Sequence, residues 1–209
     1  MAGIKCTRTE AWTLLNQYTQ STGLLKHALA VEACMEAYGE EQAARRKLSG
    51  DEAGELIETY RITGLLHDFD YEKYPSAAEH PFVGNRILAE KEWPEEIRVA
   101  IMGHAQYSGV ARDTHLAKAL FACDELAGFL TAVSLVKPTK SIFDVDPQSV
   151  RKKLKDKAFA RGVHREDILQ GAQELGVDLD VHIAFCIAAL RRHAVALGLD
   201  GVAASTPRP

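Results

Sequence analysis

The chain has 209 residues, 46% of them hydrophobic and 26% charged, with a formal net charge of −4. That length suits one large domain, and the balance is that of an ordinary globular protein, which excludes a disordered chain, a collagen and a cystine-stapled miniprotein. The mild negative charge speaks against a globally basic nucleic-acid binder and leaves eight histidines as the feature to explain.

The stretch Met1 to Arg8 lacks the apolar centre of a signal peptide, and no apolar run approaches the ~20 residues that span a bilayer. The helical period runs through nearly the whole chain, carried by Ala, Leu, Glu, Lys and Arg, with no alternating β-branched run. It predicts a first helix over Glu10–Gln20 and a second, capped by Ser21 or Thr22, to about Tyr38. The polar stretch Gly39–Gly50 reads as a partial extension or a loop. Helices follow over Asp51–Leu66 and Pro81–Lys91, separated by a loop from Asp68 to Glu79. Pro94 stands at a first-turn position of the next helix, which ends near His104. A loop with Gly109 and Asp113 leads to a long helix, Thr114–Val136. Beyond Lys137-Pro138 come short helices near Pro147–Lys155 and Arg165–Leu175, then a final one over Asp180–Leu197. Residues 201–209 are expected to be a disordered tail. The expected architecture is all-α, one domain over residues 1–200. The cysteines Cys6, Cys34, Cys123 and Cys186 form no CxxC pair, and three lie in apolar helical stretches. They read as small core residues in a reducing compartment, so a cytoplasmic protein without disulfides is expected.

Several polar residues sit on apolar faces. His27 shares a helical stripe with Leu24, Ala28, Val31 and Cys34 and so points inward. A lone inward histidine is more often a satisfied core residue than a ligand. Asp124 has Leu120, Phe121, Ala127 and Gly128 as its helical neighbours. A buried carboxylate costs several kcal/mol unless paired or metal-bound, so Asp124 reads either as the partner of a salt bridge or of a neighbouring helix end, or as a metal ligand. The segment Leu65-Leu66-His67-Asp68-Phe69-Asp70 ends an apolar helix in a histidine–aspartate pair. Adjacent helical residues point about 100° apart, so both address one centre only at a helix end or across two ions. Imidazole with carboxylate suits ions such as iron, manganese or cobalt. His80 opens a helix and His104 closes one. His115 begins the long helix and could line a site opening, whereas His164, His182 and His193 show no such setting.

In chain order these residues read His27, His67-Asp68, His80, His104 and Asp124 on a helical scaffold. That order resembles the HD superfamily of metal-dependent phosphohydrolases, in which a histidine, a His-Asp pair and a distal aspartate on a long helix recur. Members with a second metal add two histidines between the pair and the last aspartate, here His80 and His104. The similarity covers about residues 24–130, leaving 145–198 as a C-terminal helical extension of an HD-type bundle. At the position where the cyclic-dinucleotide branch carries lysine, this chain has Tyr71, and it has no Gly-Tyr-Pro. Glu72 stands one residue beyond the glutamate of the deoxynucleotidase branch.

The resemblance implies one or two divalent ions (Fe, Mn, Co, Ni or Zn, with Mg admitted) on His27, His67, Asp68, His80, His104 and Asp124, with Asp68 as the bridge. A metal-bound hydroxide would attack a phosphomonoester or nucleotide-like phosphodiester. Asp70, Glu72 and His115 are candidates by position for the proton donor. An anionic substrate also needs cations. The segment Arg151–Arg161 holds six basic residues against one acidic, and with Lys137 and Lys140 it nominates Lys137, Lys140, Lys153 and Lys157 as a phosphate rim. The expected partner is a small phosphorylated molecule such as a nucleotide, with neither a membrane nor a long nucleic acid. Two rival readings share the same residues: a mixed-valent di-iron oxygenase of the HD type, and a non-catalytic metal-binding regulatory module.

Overall fold

Four of the described α-helices start at side chains that satisfy otherwise free backbone N–H groups. The structure, a computed structural model, describes residues 6–201. Thr7 and Glu10 form a reciprocal capping box at the start of α1 (Arg8–Tyr18). Asp146 and Ser149 form another at α7 (Pro147–Leu154), where Pro147 occupies the first turn. Thr114 accepts the Ala117 N–H at the start of α6 (His115–Leu135), and Asp178 caps α9 (Leu179–Arg192). The remaining helices are α2 (Thr22–Arg45), α3 (Gly50–Leu66), α4 (Phe82–Glu90), α5 (Glu95–His104), α8 (Arg165–Leu175) and α10 (Ala194–Leu197).

The fold is all-α, as expected, and there is no strand among the described residues. A single isolated bridge joins Ser141 to Asp200. No helix among the described residues is long and apolar enough to cross a membrane. The tail expected to be disordered lies, from residue 202 onward, outside the described residues.

The longest contact runs between α2 and α3, and α6 lies at the centre, packed against α2, α5, α8 and α9. One continuous core joins Val31, Cys34 and Met35 of α2 to Ile62, Leu65 and Leu66 of α3, to Leu120, Leu126 and Phe129 of α6 and to Ile183 and Ile187 of α9. The C-terminal helices therefore share the core of the segment that carries the motif, which makes one domain of the whole. All four cysteines are buried, and no disulfide joins them.

Three element boundaries differ from expectation. Helix α2 runs on through Gly39 to Arg45, because this glycine marks a close approach and not an end. A Cβ there would lie 3.0 Å from the Ile57 Cα and 3.1 Å from the Tyr60 Cβ. Pro94 precedes α5 in an extended conformation and is not its first turn. The last predicted helix is two, α9 and α10, which meet at His193.

Candidate metal centre

Each inward polar residue reaches the same place from a different element. His27 projects from the second turn of α2. His67 caps the C-terminus of α3, and Asp68 follows in the turn beyond it, so the helix end lets two successive side chains address one centre. Phe69, fully buried and edge-on to Tyr18 at 5.3 Å, anchors that turn. His80 lies just before α4, His104 is the last residue of α5, and Asp124 sits in the middle of α6.

Two groups of donor atoms result. In the first, His27 Nε2 lies 3.2 Å from His67 Nε2 and 3.0 Å from Asp124 Oδ1, and His67 Nε2 lies 3.3 Å from Asp124 Oδ1. In the second, His80 Nε2 and His104 Nε2 stand 3.2 Å apart, and each is 3.2 Å from Asp68 Oδ1. The other oxygen of Asp68, Oδ2, faces the first group, 3.4 Å from His67 Nε2 and 3.9 Å from His27 Nε2. Asp68 thus spans both groups.

These donors fit a cation. Nitrogen and oxygen ligands at ~2.0–2.1 Å around a tetrahedral ion lie about 3.3 Å from one another, close to the observed spacings. The Nδ1 atoms of His67 and His104 donate to the carbonyls of Gly64 and Ile101, so in the neutral rings Nε2 is a lone pair. Lone pairs and carboxylate oxygens converging at 3.2 Å repel one another unless protons or a metal ion lie among them. With protons alone, the histidines hold them tightly. Burial pushes the His67 imidazole down, but the carboxylates of Asp68 and Asp124 outweigh it and keep the group well above its ordinary value. His80 is likewise opposed by burial, yet Asp68 and Asp70 raise it to about 9. Burial opposes ionisation of Asp68 and Asp124, and the imidazoles nonetheless hold both well below the usual carboxylate range. The second group is the more enclosed: the His80 and His104 side chains are 4% and 6% exposed, against 22% for His27.

The other candidates from the sequence are placed differently. Asp70 is buried, with Oδ1 at 2.8 Å from His80 Nδ1 and Oδ2 accepting the Gly84 N–H at 2.7 Å. Glu72 turns to the start of α2, where it accepts the N–H groups of Gln20 and Ser21 at 2.7 and 3.0 Å. Those bonds to the backbone lower its pKa and make it a helix cap. His115 has both ring nitrogens engaged, by Gln42 and by the Tyr60 hydroxyl, nine residues and about 13 Å along α6 from Asp124.

Among the described residues, no hydrogen bond or ion pair joins Lys137, Lys140, Lys153 or Lys157 to a ligand side chain. Lys137 follows the far end of α6, more than about 16 Å along the helix axis from Asp124, and shares a surface groove with Val133, Val136 and Lys153. Lys153 also stacks over the Phe159 ring and pairs with Asp156 at 3.6 Å. Lys140 and Lys157 are exposed. Helix α6 thus carries Lys137 and the loop after it away from Asp124.

Two neighbours of the centre were not among the candidate site residues. The Tyr71 ring stands edge-on against His80 at 5.3 Å and is 40% exposed. Glu125, beside Asp124, is raised to about 7 by burial and by the Asp124 charge, and together with His164 and Asp167 it forms a third, more exposed group of donors. The approach of α8 to α6 creates that group, and no local pattern signals it.

Compared with known proteins, the chain matches no family model, no curated protein and no solved structure at a significant level.

Proposed function

We propose that this protein is a metal-dependent phosphohydrolase that acts on a small phosphomonoester or nucleotide-like diester with two divalent ions. The observation that carries the reading is the use of both Asp68 oxygens, each directed at a different pair of histidines. Paired ions a few ångströms apart, sharing a carboxylate, are the arrangement suited to in-line displacement at phosphorus. His27, His67 and Asp124 would hold one ion, His80 and His104 the other, and Asp68 both. When bound, such ions supply Lewis acidity: they polarise a phosphoryl oxygen and make a water acidic near neutral pH. The chain itself fixes the donors. The Gly64 and Ile101 carbonyls orient two of the rings, and the core behind α3 and α6 keeps the inner faces of His67 and His104 dry. The exposed edges of His27, Asp68 and Asp124 leave the approach for a substrate.

The decisive experiment pairs elemental analysis of purified protein with a phosphoester panel, repeated on Asp68→Ala. The expected result is two ions per chain and turnover in the wild type, with the variant losing about 10²–10³-fold in rate, the order of the loss of a principal electrostatic group. Purified protein with no affinity for divalent ions, or an Asp68→Ala variant of unchanged activity, overturns the reading. The same donors, with two histidines and one carboxylate in the more enclosed group, also suit iron redox chemistry. An iron-dependent enzyme with a mixed-valent electron paramagnetic resonance signal and no phosphoester turnover would favour that rival.

A further inference from the structure

Asp70 is a fully buried carboxylate in direct contact with the centre that belongs to neither group of donors. It is 1% exposed, and a carboxylate so placed is retained only with partners. It has two, one for each oxygen: the His80 ring nitrogen Nδ1 at 2.8 Å and the Gly84 N–H at 2.7 Å. Its own carbonyl accepts the N–H groups of Lys73 and Tyr74, which fixes the backbone that presents it. Gly84 is part of the same device. A Cβ at that position would lie 2.7 Å from both Cγ and Oδ2 of Asp70, so only glycine leaves room for the carboxylate to seat against the first turn of α4. With both oxygens committed inside the protein, Asp70 cannot reach a substrate as a proton donor.

We propose that Asp70 is a positioning residue for the Asp68–His80–His104 half of the centre. It holds the Nδ1 proton of His80, so that Nε2 is presented as a lone pair, and its charge makes that imidazole a stronger donor. The inference rests on the reading of the two donor groups as a two-ion site. His80 is the only one of the four ligand histidines with a carboxylate behind it: His67 and His104 lean on carbonyls, and the described hydrogen bonds of His27 all run through Nε2. The effect of Asp70 is therefore confined to one half. Removing an outer partner of a metal-bound histidine typically costs 10–100-fold in metal affinity.

The test uses Mn²⁺ alone as the probe, with calorimetric titration and counting of bound ions. His80→Gln identifies the binding step that belongs to the Asp68–His80–His104 half. Asp70→Asn should weaken that same step about 10–100-fold and leave the other unchanged. Gly84→Ala, which displaces Asp70 without altering its chemistry, should act in the same direction. The Asp70→Asn/His80→Gln double variant should bind no worse than His80→Gln alone, since Asp70 then has no ring to position. Variants that melt at lower temperature when metal-free but bind Mn²⁺ as the wild type does would reduce Asp70 to a structural role and overturn the inference, as would equal weakening of both steps. A wild type that binds no Mn²⁺ overturns the two-ion reading as well, which separates the two failures. One measurement needs no variant. In Zn²⁺-loaded protein, ¹⁵N spectra should place the His80 proton on Nδ1, and a proton on Nε2 would sink the proposal.

Discussion

Asp68 can serve two histidine pairs because it stands one residue past the C-cap of α3, where the chain turns and successive side chains stop diverging. Around it stand five donor atoms, from His27, His67, His80, His104 and Asp124; the sequence marks His27 and Asp124 as polar intruders on apolar faces and His67 as the end of an apolar helix, and the resemblance adds His80 and His104. Without metal, that cluster must keep protons. His80 titrates near 6.5 when exposed and at about 9 in the folded protein, where burial is outweighed by Asp68 and Asp70. A group whose pKa rises on folding stabilises the fold fully below its unfolded pKa and loses that contribution as pH climbs through the folded one. In the presence of a chelator, the melting temperature should therefore fall between about pH 6.5 and pH 9, as followed by circular dichroism. A flat or rising profile across that window would show that His80 does not hold its proton against Asp68 and Asp70. Of the two donor groups, His27, His67, Asp68 and Asp124 were legible because each is locally improper, whereas His80 and His104, at helix ends, were singled out by the resemblance alone. Asp70 was legible as a polar residue but not as to role, since its partners are ten and fourteen residues away and only the fold of the loop onto α4 brings them together. Glu72 misled for a related reason: proximity in sequence to Asp68 says nothing about which way the turn throws the side chain.

At the level of elements, helical period and capping residues located most of the helices to within a few positions, because those signals are local. The errors came where tertiary contact overrides local preference. The stretch from Gly39 left a helix extension and a loop both open, and Gly39 lies inside α2 because α3 crosses there with almost no gap. The contrast with Gly54, mid-helix in α3 and exposed with no atom within 4 Å of an added Cβ, gives two opposite expectations. Gly54→Ala should stabilise by up to about 1 kcal/mol, the intrinsic preference of alanine over glycine in a helix. Gly39→Ala gains the same preference but drives a methyl into the Ile57 backbone, and such overpacking costs about 1–3 kcal/mol. It should come out neutral to about 2 kcal/mol less stable. Urea unfolding of both variants decides the matter, and a Gly39→Ala protein as stabilised as Gly54→Ala would mean that the α2–α3 crossing has slack. The split of the last helix at His193 was invisible for a similar reason: no glycine or proline marks it, and the break follows from how α10 turns back to pack its Ala194 and Leu197 into the core.

On the scale of the whole molecule, the centre is a junction. Its ligands come from α2, from the end of α3, from the segment before α4, from α5 and from α6, so an ion there ties together elements that are far apart in the chain. The unfolded chain has no such preformed site, and whatever binds only the folded state stabilises it by mass action. With free metal at 100 times the dissociation constant, the gain is about 2.7 kcal/mol for one ion. For a domain of this size, each kcal/mol moves the melting temperature by roughly 2–4 °C, so each Mn²⁺ bound at that excess should raise it by roughly 5–10 °C over chelated protein. The rise should shrink in His27→Ala and in His80→Ala, each of which removes a ligand from one group only. It should vanish in Asp68→Ala, where both groups lose a donor and the remaining imidazoles lose the charge that gathers a cation among them. A melting temperature indifferent to metal and chelator would mean that the donors, though assembled, are satisfied by protons alone. The convergent histidines would then be a polar seam in the core, with no ion to serve.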